Sequence, residues 1–103
     1  MSVRINKDNI QKEVIESEIP VILEFYSDSC IPCKALSPIL GEIEDEYEDK
    51  IKVCKVNVSA EADLAGEYGV MASPTILYFV DGEEIDRTRG MVSKEDILDK
   101  IGG

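Results

Sequence analysis

Two apolar runs constrain this chain more than anything else in it: Val21-Ile22-Leu23-Glu24-Phe25-Tyr26 and Thr75-Ile76-Leu77-Tyr78-Phe79-Val80. Successive residues of a strand point to opposite faces, so a strand with one face in water alternates apolar and polar residues. These two runs do not alternate. Both of their faces must be covered, which places them at the centre of a sheet carrying helices on each side. The first run contains one charge, Glu24, in its middle.

The segments around these runs complete the pattern. Asp8 to Glu18 reads as a short amphipathic helix, capped by Asp8, with Ile10, Val14 and Ile15 as its apolar stripe. A second helix opens at Ser29-Cys30-Ile31-Pro32-Cys33-Lys34 and runs on through Leu36, Ile39, Leu40, Ile43 and Tyr47. Pro32 suits its first turn, and Pro38 inside it removes one backbone hydrogen bond, so a kink is expected there. Ile51 to Val58 is the next strand and Glu61 to Tyr68 the next helix. Asp81-Gly82 is a two-residue hairpin signal that returns Glu84 to Arg89 antiparallel to 75–80. Gly90 breaks the chain, Ser93 caps a last helix through Ile97 and Ile101, and Gly102 ends it. The order is strand, helix, strand, helix, strand, helix, hairpin, helix. It describes one α/β domain, residues 1–103, with a mixed sheet.

Composition excludes several classes of function. The chain has 103 residues, 44% of them hydrophobic and 32% charged, a balance that supports a folded core. Its formal charge of −11, from 22 acidic and 11 basic residues, repels phosphate backbones and anionic membranes. Nucleic acid and lipid surfaces are therefore not expected partners. The start, Met1-Ser2-Val3-Arg4-Ile5-Asn6-Lys7-Asp8, has no apolar signal core, and no run approaches the roughly 18 apolar residues of a membrane span. The expected location is the cytoplasm, where thiols are kept reduced. A monomer is expected, since no apolar helix face is left over.

In that compartment the pair Cys30 and Cys33 is the candidate chemistry. The thiolate is the nucleophile, and a helix N-terminus offers free N–H groups and positive potential to stabilise it. Cys30, just before the helix, is expected to be the exposed, attacking sulfur, and Cys33, one turn inside, the buried resolving one. Half of a zinc site is the rival reading. It is short of ligands, because the chain has no histidine and one further cysteine, Cys54, in the middle of a strand. Cys54 reads as a small buried core residue. Without histidine, the proton acceptor for Cys33 must be a carboxylate, a lysine or water. Glu24, desolvated within a central strand, is the candidate; the alternative is a structural glutamate paired with Lys55.

These residues resemble the thioredoxin family over essentially the whole chain. The resemblance is carried by Val21 through Lys34, by Pro38, by Lys55-Val56-Asn57, by Ser73-Pro74-Thr75 and by Gly90. It implies a three-layer sandwich with a central five-stranded mixed sheet and four helices, a dithiol–disulfide cycle without a cofactor or a metal, and a thioredoxin reductase upstream of protein disulfide substrates. It implies a cis Ser73–Pro74 bond facing the cysteines, with the Ser73 backbone docking the substrate chain and Pro74 keeping metal ions off the thiols. Gly90, Ser29, Ile31 and Pro32 would line the same groove, and Lys55 would accompany Glu24. The chain departs from the family at the active face: Ser29 replaces the usual tryptophan, Ile31-Pro32 replaces Gly-Pro, Glu24 replaces aspartate and Ser73 a larger aliphatic. Similar tryptophan-less faces occur in redox carriers of anaerobes, including those that serve amino-acid reductases. A dedicated carrier, a disulfide isomerase or oxidase, and a non-catalytic docking module therefore stand beside a general disulfide reductase.

Overall fold

The computed structural model describes residues 2–102. Five strands form one sheet in the order β1-β3-β2-β4-β5: β1 Val3–Arg4, β2 Val21–Tyr26, β3 Lys52–Asn57, β4 Thr75–Val80 and β5 Glu83–Arg89. β1, β3 and β2 run parallel, while β4 is antiparallel to both β2 and β5. The two apolar runs are adjacent central strands, with Leu23 opposite Leu77. α1 spans Ile31–Glu46, α2 Ala62–Glu67 and α3 Lys94–Ile101.

Strand alternation splits the core in two. Val21, Leu23 and Phe25 of β2 join Val56, Leu77 and Phe79 beneath α2, whose Leu64 and Ala65 are buried there. Ile22 joins Val53, Ile76 and Tyr78 beneath Leu36, Leu40 and Ile43 of α1 and Ile97 and Ile101 of α3. By the same alternation Glu24 lies on the α1 face of the sheet, where an apolar residue would otherwise continue the layer. That placement is what makes its charge matter.

The first helix is much shorter than the pattern suggests. In place of a helix from Asp8 to Glu18 there is a five-residue π-helical turn, Gln11–Ile15, closed by the Glu16 N–H donating to Gln11 O at 2.9 Å. Asp8 is not its cap. Asn6 Oδ1 accepts from the N–H groups of Asp8 and Asn9, at 2.8 and 3.1 Å, and Asn9 Nδ2 donates to Arg4 O. These side-chain bonds give the backbone a turn that competes with helix. The apolar stripe is nonetheless real, with Val14 buried and Ile10 and Ile15 packed beside it. One of the four flanking helices is thus this short turn.

Elsewhere the local chemistry behaves as expected. Asp81 and Gly82 both have positive φ, 52° and 80°, the requirement of a tight hairpin. A Cβ on Gly82 would lie 2.6 Å from the Ile15 carbonyl oxygen, so only glycine fits where the hairpin crosses the π-helical turn. Ser93 Oγ accepts from the Asp96 N–H at 3.1 Å, and Gly102 closes α3 in the left-handed region. α1 continues through Pro38 to Glu46. No helix among the described residues is long and apolar enough to cross a membrane.

Candidate active site

β2 delivers the chain to the site. After Tyr26, the loop Ser27-Asp28-Ser29 turns into α1, with the Cys30 N–H donating to Ser27 O at 3.2 Å. Cys30 is the N-cap of α1, in extended backbone (φ −84°, ψ 109°), and Pro32 sits in the first turn. In the cap position, where serine or aspartate usually serves, the Cys30 sulfur accepts from the Cys33 N–H at 3.1 Å. An N–H aimed at that sulfur stabilises a thiolate there more than a thiol.

Cys30 and Cys33 form a disulfide, their Cα atoms 5.2 Å apart. Here the sequence expectation needs correcting. Cys30 is not the exposed partner: it is 8% exposed and Cys33 5%. In this disulfide-bonded state both cysteines are buried. The exposed groups are the neighbours, Ser29, Pro32 and above all Ile31, at 77%.

Glu24 is 1% exposed, and its Oε2 has no hydrogen-bond partner among the described residues. Lys55 lies beside it in register on β3. Yet the Lys55 Nζ stays 3.9 Å from Glu24 Oε1, beyond hydrogen-bond reach, and donates instead to Ser37 Oγ at 3.3 Å. Burial, opposed by the Lys55 charge, raises the Glu24 carboxyl to about 7. Glu24 and Cys33 line one cleft of about 320 Å³, together with Arg4, Lys34, Ser37 and Lys55. A carboxyl that exchanges its proton near neutrality thus shares a cleft with the inner cysteine.

The loop before β4 adjoins the cysteine loop. The Ser73–Pro74 peptide is cis, and Pro74 is buried. The Gly90 N–H donates to Pro74 O at 2.8 Å, with Gly90 at φ 81°, so the residue after β5 is held against this loop. Ser27 Oγ and Ser73 Oγ lie 3.3 Å apart in a shared hydrogen bond. Through Ser27, which also accepts from the Cys30 N–H, the Ser73 loop is fastened to the cysteine loop. All ten candidate residues therefore belong to two adjoining places. Cys33, Glu24 and Lys55 line the cleft, while Ser29, Cys30, Ile31, Pro32, Ser73, Pro74 and Gly90 belong to the cysteine loop and the proline loop beside it.

Two contributors escaped the sequence reading. Ser37 stands four residues after Cys33, hence on the same helical face, and that spacing was available in the sequence. Ser27 and Ser73 are 46 positions apart and carry no sequence signal of their contact.

Cys54 stands apart from this chemistry. It is fully buried, and burial pushes its thiol up to about 12. In the folded, reduced protein, iodoacetamide is expected to modify Cys30 first and to leave Cys54 untouched until denaturant is added. Peptide mass mapping checks this, and early labelling of Cys54 would contradict its burial. Among the described residues no group of three or more histidine, cysteine or acidic side chains could hold a metal ion.

Comparison with known proteins finds relatives along nearly the whole chain. The family model described as Thioredoxin matches residues 1–102. The chain is 39% identical over 101 residues to a thioredoxin of Rickettsia felis, covering 98% of this chain and 96% of that protein. It is 43% identical over 93 residues to a thioredoxin of Rickettsia typhi, covering 90% and 89%. It is 35% identical over 97 residues to the chloroplastic M-type thioredoxin of Chlamydomonas reinhardtii, covering 94% and 69%.

Proposed function

Because this chain belongs to the thioredoxin family, we propose that its cysteine pair serves as a general electron donor to protein disulfides, with a thioredoxin reductase upstream and the cytoplasm as its place of work. That it is a thiol–disulfide oxidoreductase acting on protein disulfides through Cys30 and Cys33 follows from the family and the pair. The roles of the surrounding residues are our reading.

In the reduced protein the Cys30 thiolate attacks one sulfur of a substrate disulfide. The substrate S–S bond breaks, its leaving sulfur takes a proton, and a mixed disulfide to Cys30 forms. Cys33 then gives its proton to Glu24 and attacks the Cys30 sulfur. The second substrate sulfur leaves, is protonated in turn, and the Cys30–Cys33 disulfide remains. Two electrons pass from the dithiol to the substrate, and the reductase returns both. Of the two protons that the substrate sulfurs take up, one comes from Cys33 by way of Glu24. The other comes from solvent, which received the proton Cys30 lost on ionising. Lys55 limits how far the Glu24 carboxyl rises, and the Ser73 backbone, beside Pro74 and Gly90, docks the substrate chain. Ser29, Ile31 and Pro32 form the exposed rim that meets it.

The observation that carries this reading is the Glu24 carboxyl, buried in the same cleft as Cys33 with no hydrogen-bond partner for Oε2 among the described residues. The relatives reported above are thioredoxins, and the dedicated-carrier, isomerase and oxidase readings draw no support from them. Equilibration of the Cys30–Cys33 couple against glutathione or dithiothreitol buffers tests the choice. A potential near the value of thioredoxin itself, about −270 mV, is expected of a general reductase. A potential of about −180 mV or above overturns that reading in favour of an isomerase or oxidant.

A further inference from the structure

Between the Ser73–Pro74 loop and α2 runs a groove of about 350 Å³. Its walls include Val58, Ala65, Val70 and Met71, and Ser27 and Ser73 also line it. Its volume lies within the range of sites that hold small groups. The groove adjoins the redox site at Ser27, which lines both it and the cleft of Glu24 and Cys33 and whose carbonyl accepts from the Cys30 N–H at 3.2 Å. At its outer end Met71 is 97% exposed.

The two hydroxyls give the groove a chemical preference. They carry two hydrogens, and the 3.3 Å bond between their oxygens uses one. The other has no acceptor among the described residues, so the pair can donate to a group that enters the groove. The acidic residues Glu61, Asp63 and Glu67 stand on and beside α2, in a chain of net charge −11. A carboxylate is repelled there, whereas a neutral carbonyl is not. The apolar walls accept an aliphatic stem.

We propose that this groove is a side-chain subsite for the protein-disulfide substrate, selecting a residue with an aliphatic stem and a neutral hydrogen-bond acceptor at its end, glutamine foremost, which the Ser27–Ser73 hydroxyl pair reads. The proposal rests on the docking of the substrate backbone at Ser73 stated above. It makes Ser27 a specificity residue for the reaction and accounts for a serine at position 73.

Synthetic disulfide peptides test it, with glutamine, leucine or glutamate placed in turn at each position within three residues of the reacting cysteine. At one position the glutamine peptide is expected to exceed the other two in kcat/KM by about three- to ten-fold, the worth of one neutral hydrogen bond, with the gain in KM. In Ser27→Ala that ratio falls to about one, and in Ser27→Thr it returns. Equal rates for all three side chains at every position, or a preference that survives Ser27→Ala, overturn the subsite. Backbone N-methylation of the same peptides separates the two readings. Slower turnover on methylation without any side-chain preference overturns the subsite alone. Turnover untouched by methylation at every position overturns docking at Ser73, and the subsite with it.

Discussion

Cys30→Ser loses the reduction of protein disulfides, by about a thousand-fold or more, as expected when an attacking nucleophile is removed. The reason is local. Cys30 is the cap of α1, its sulfur already accepts the Cys33 N–H at 3.1 Å, and the free N–H groups of the first turn favour its thiolate. Serine keeps the cap and the fold but supplies a hydroxyl, a far weaker nucleophile at neutral pH. Unfolding by urea is therefore expected to show a folded variant while insulin reduction stays at background. A variant that retained substantial insulin reduction would assign the attack to another sulfur.

Glu24→Gln has the largest expected effect on stability, and its sign depends on pH. The folded protein holds the Glu24 proton up to about pH 7, whereas the unfolded chain releases it near 4.5. Between those values the folded state binds more protons than the unfolded one, so stability falls as pH rises through the window and is level above it. The cost of ionising this buried carboxyl amounts to about 3 kcal/mol at pH 8, lost by the wild type relative to pH 4.5. Glutamine has no such proton to lose. In urea titrations at pH 4.5, 6 and 8, the wild type is expected to lose about 3 kcal/mol relative to Glu24→Gln across the range. Parallel pH dependences in the two proteins would mean that Glu24 is ionised already at low pH. The same variant lacks the group assigned to take the Cys33 proton, so release of the mixed disulfide is expected to slow in single-turnover experiments above pH 7.

How much of this was legible in the sequence differed by element, for physical reasons. β2 and β4 could be read almost to the residue, because a strand covered on both faces leaves an unbroken apolar run. The same run made Glu24 conspicuous, and its burial follows from its neighbours. The cysteine pair was equally plain, since Pro32 marks the helix start that gives the pair its chemistry. The first helix was misjudged because the Asn6 and Asn9 side chains capture backbone groups, a competition that hydrophobic spacing does not register. The exposure expected of Cys30 is absent from the disulfide-bonded pair, a state that residue spacing does not register. Lys55 stands 3.9 Å from Glu24 and donates to Ser37, a partner on a different element that the strand pattern does not bring to notice. The Ser27–Ser73 contact joins loops far apart in the chain, and only the fold brings them together.

The central claim is that Cys30 attacks and Cys33 resolves, and trapping the intermediate tests it most directly. Reduced Cys33→Ser, mixed with a disulfide substrate, is expected to stall as a covalent complex, because Cys30 can attack but no second thiol releases the product. Mass mapping of that complex should place the substrate on Cys30. A substrate found on Cys54, or no complex although Cys30 is free, would contradict the account.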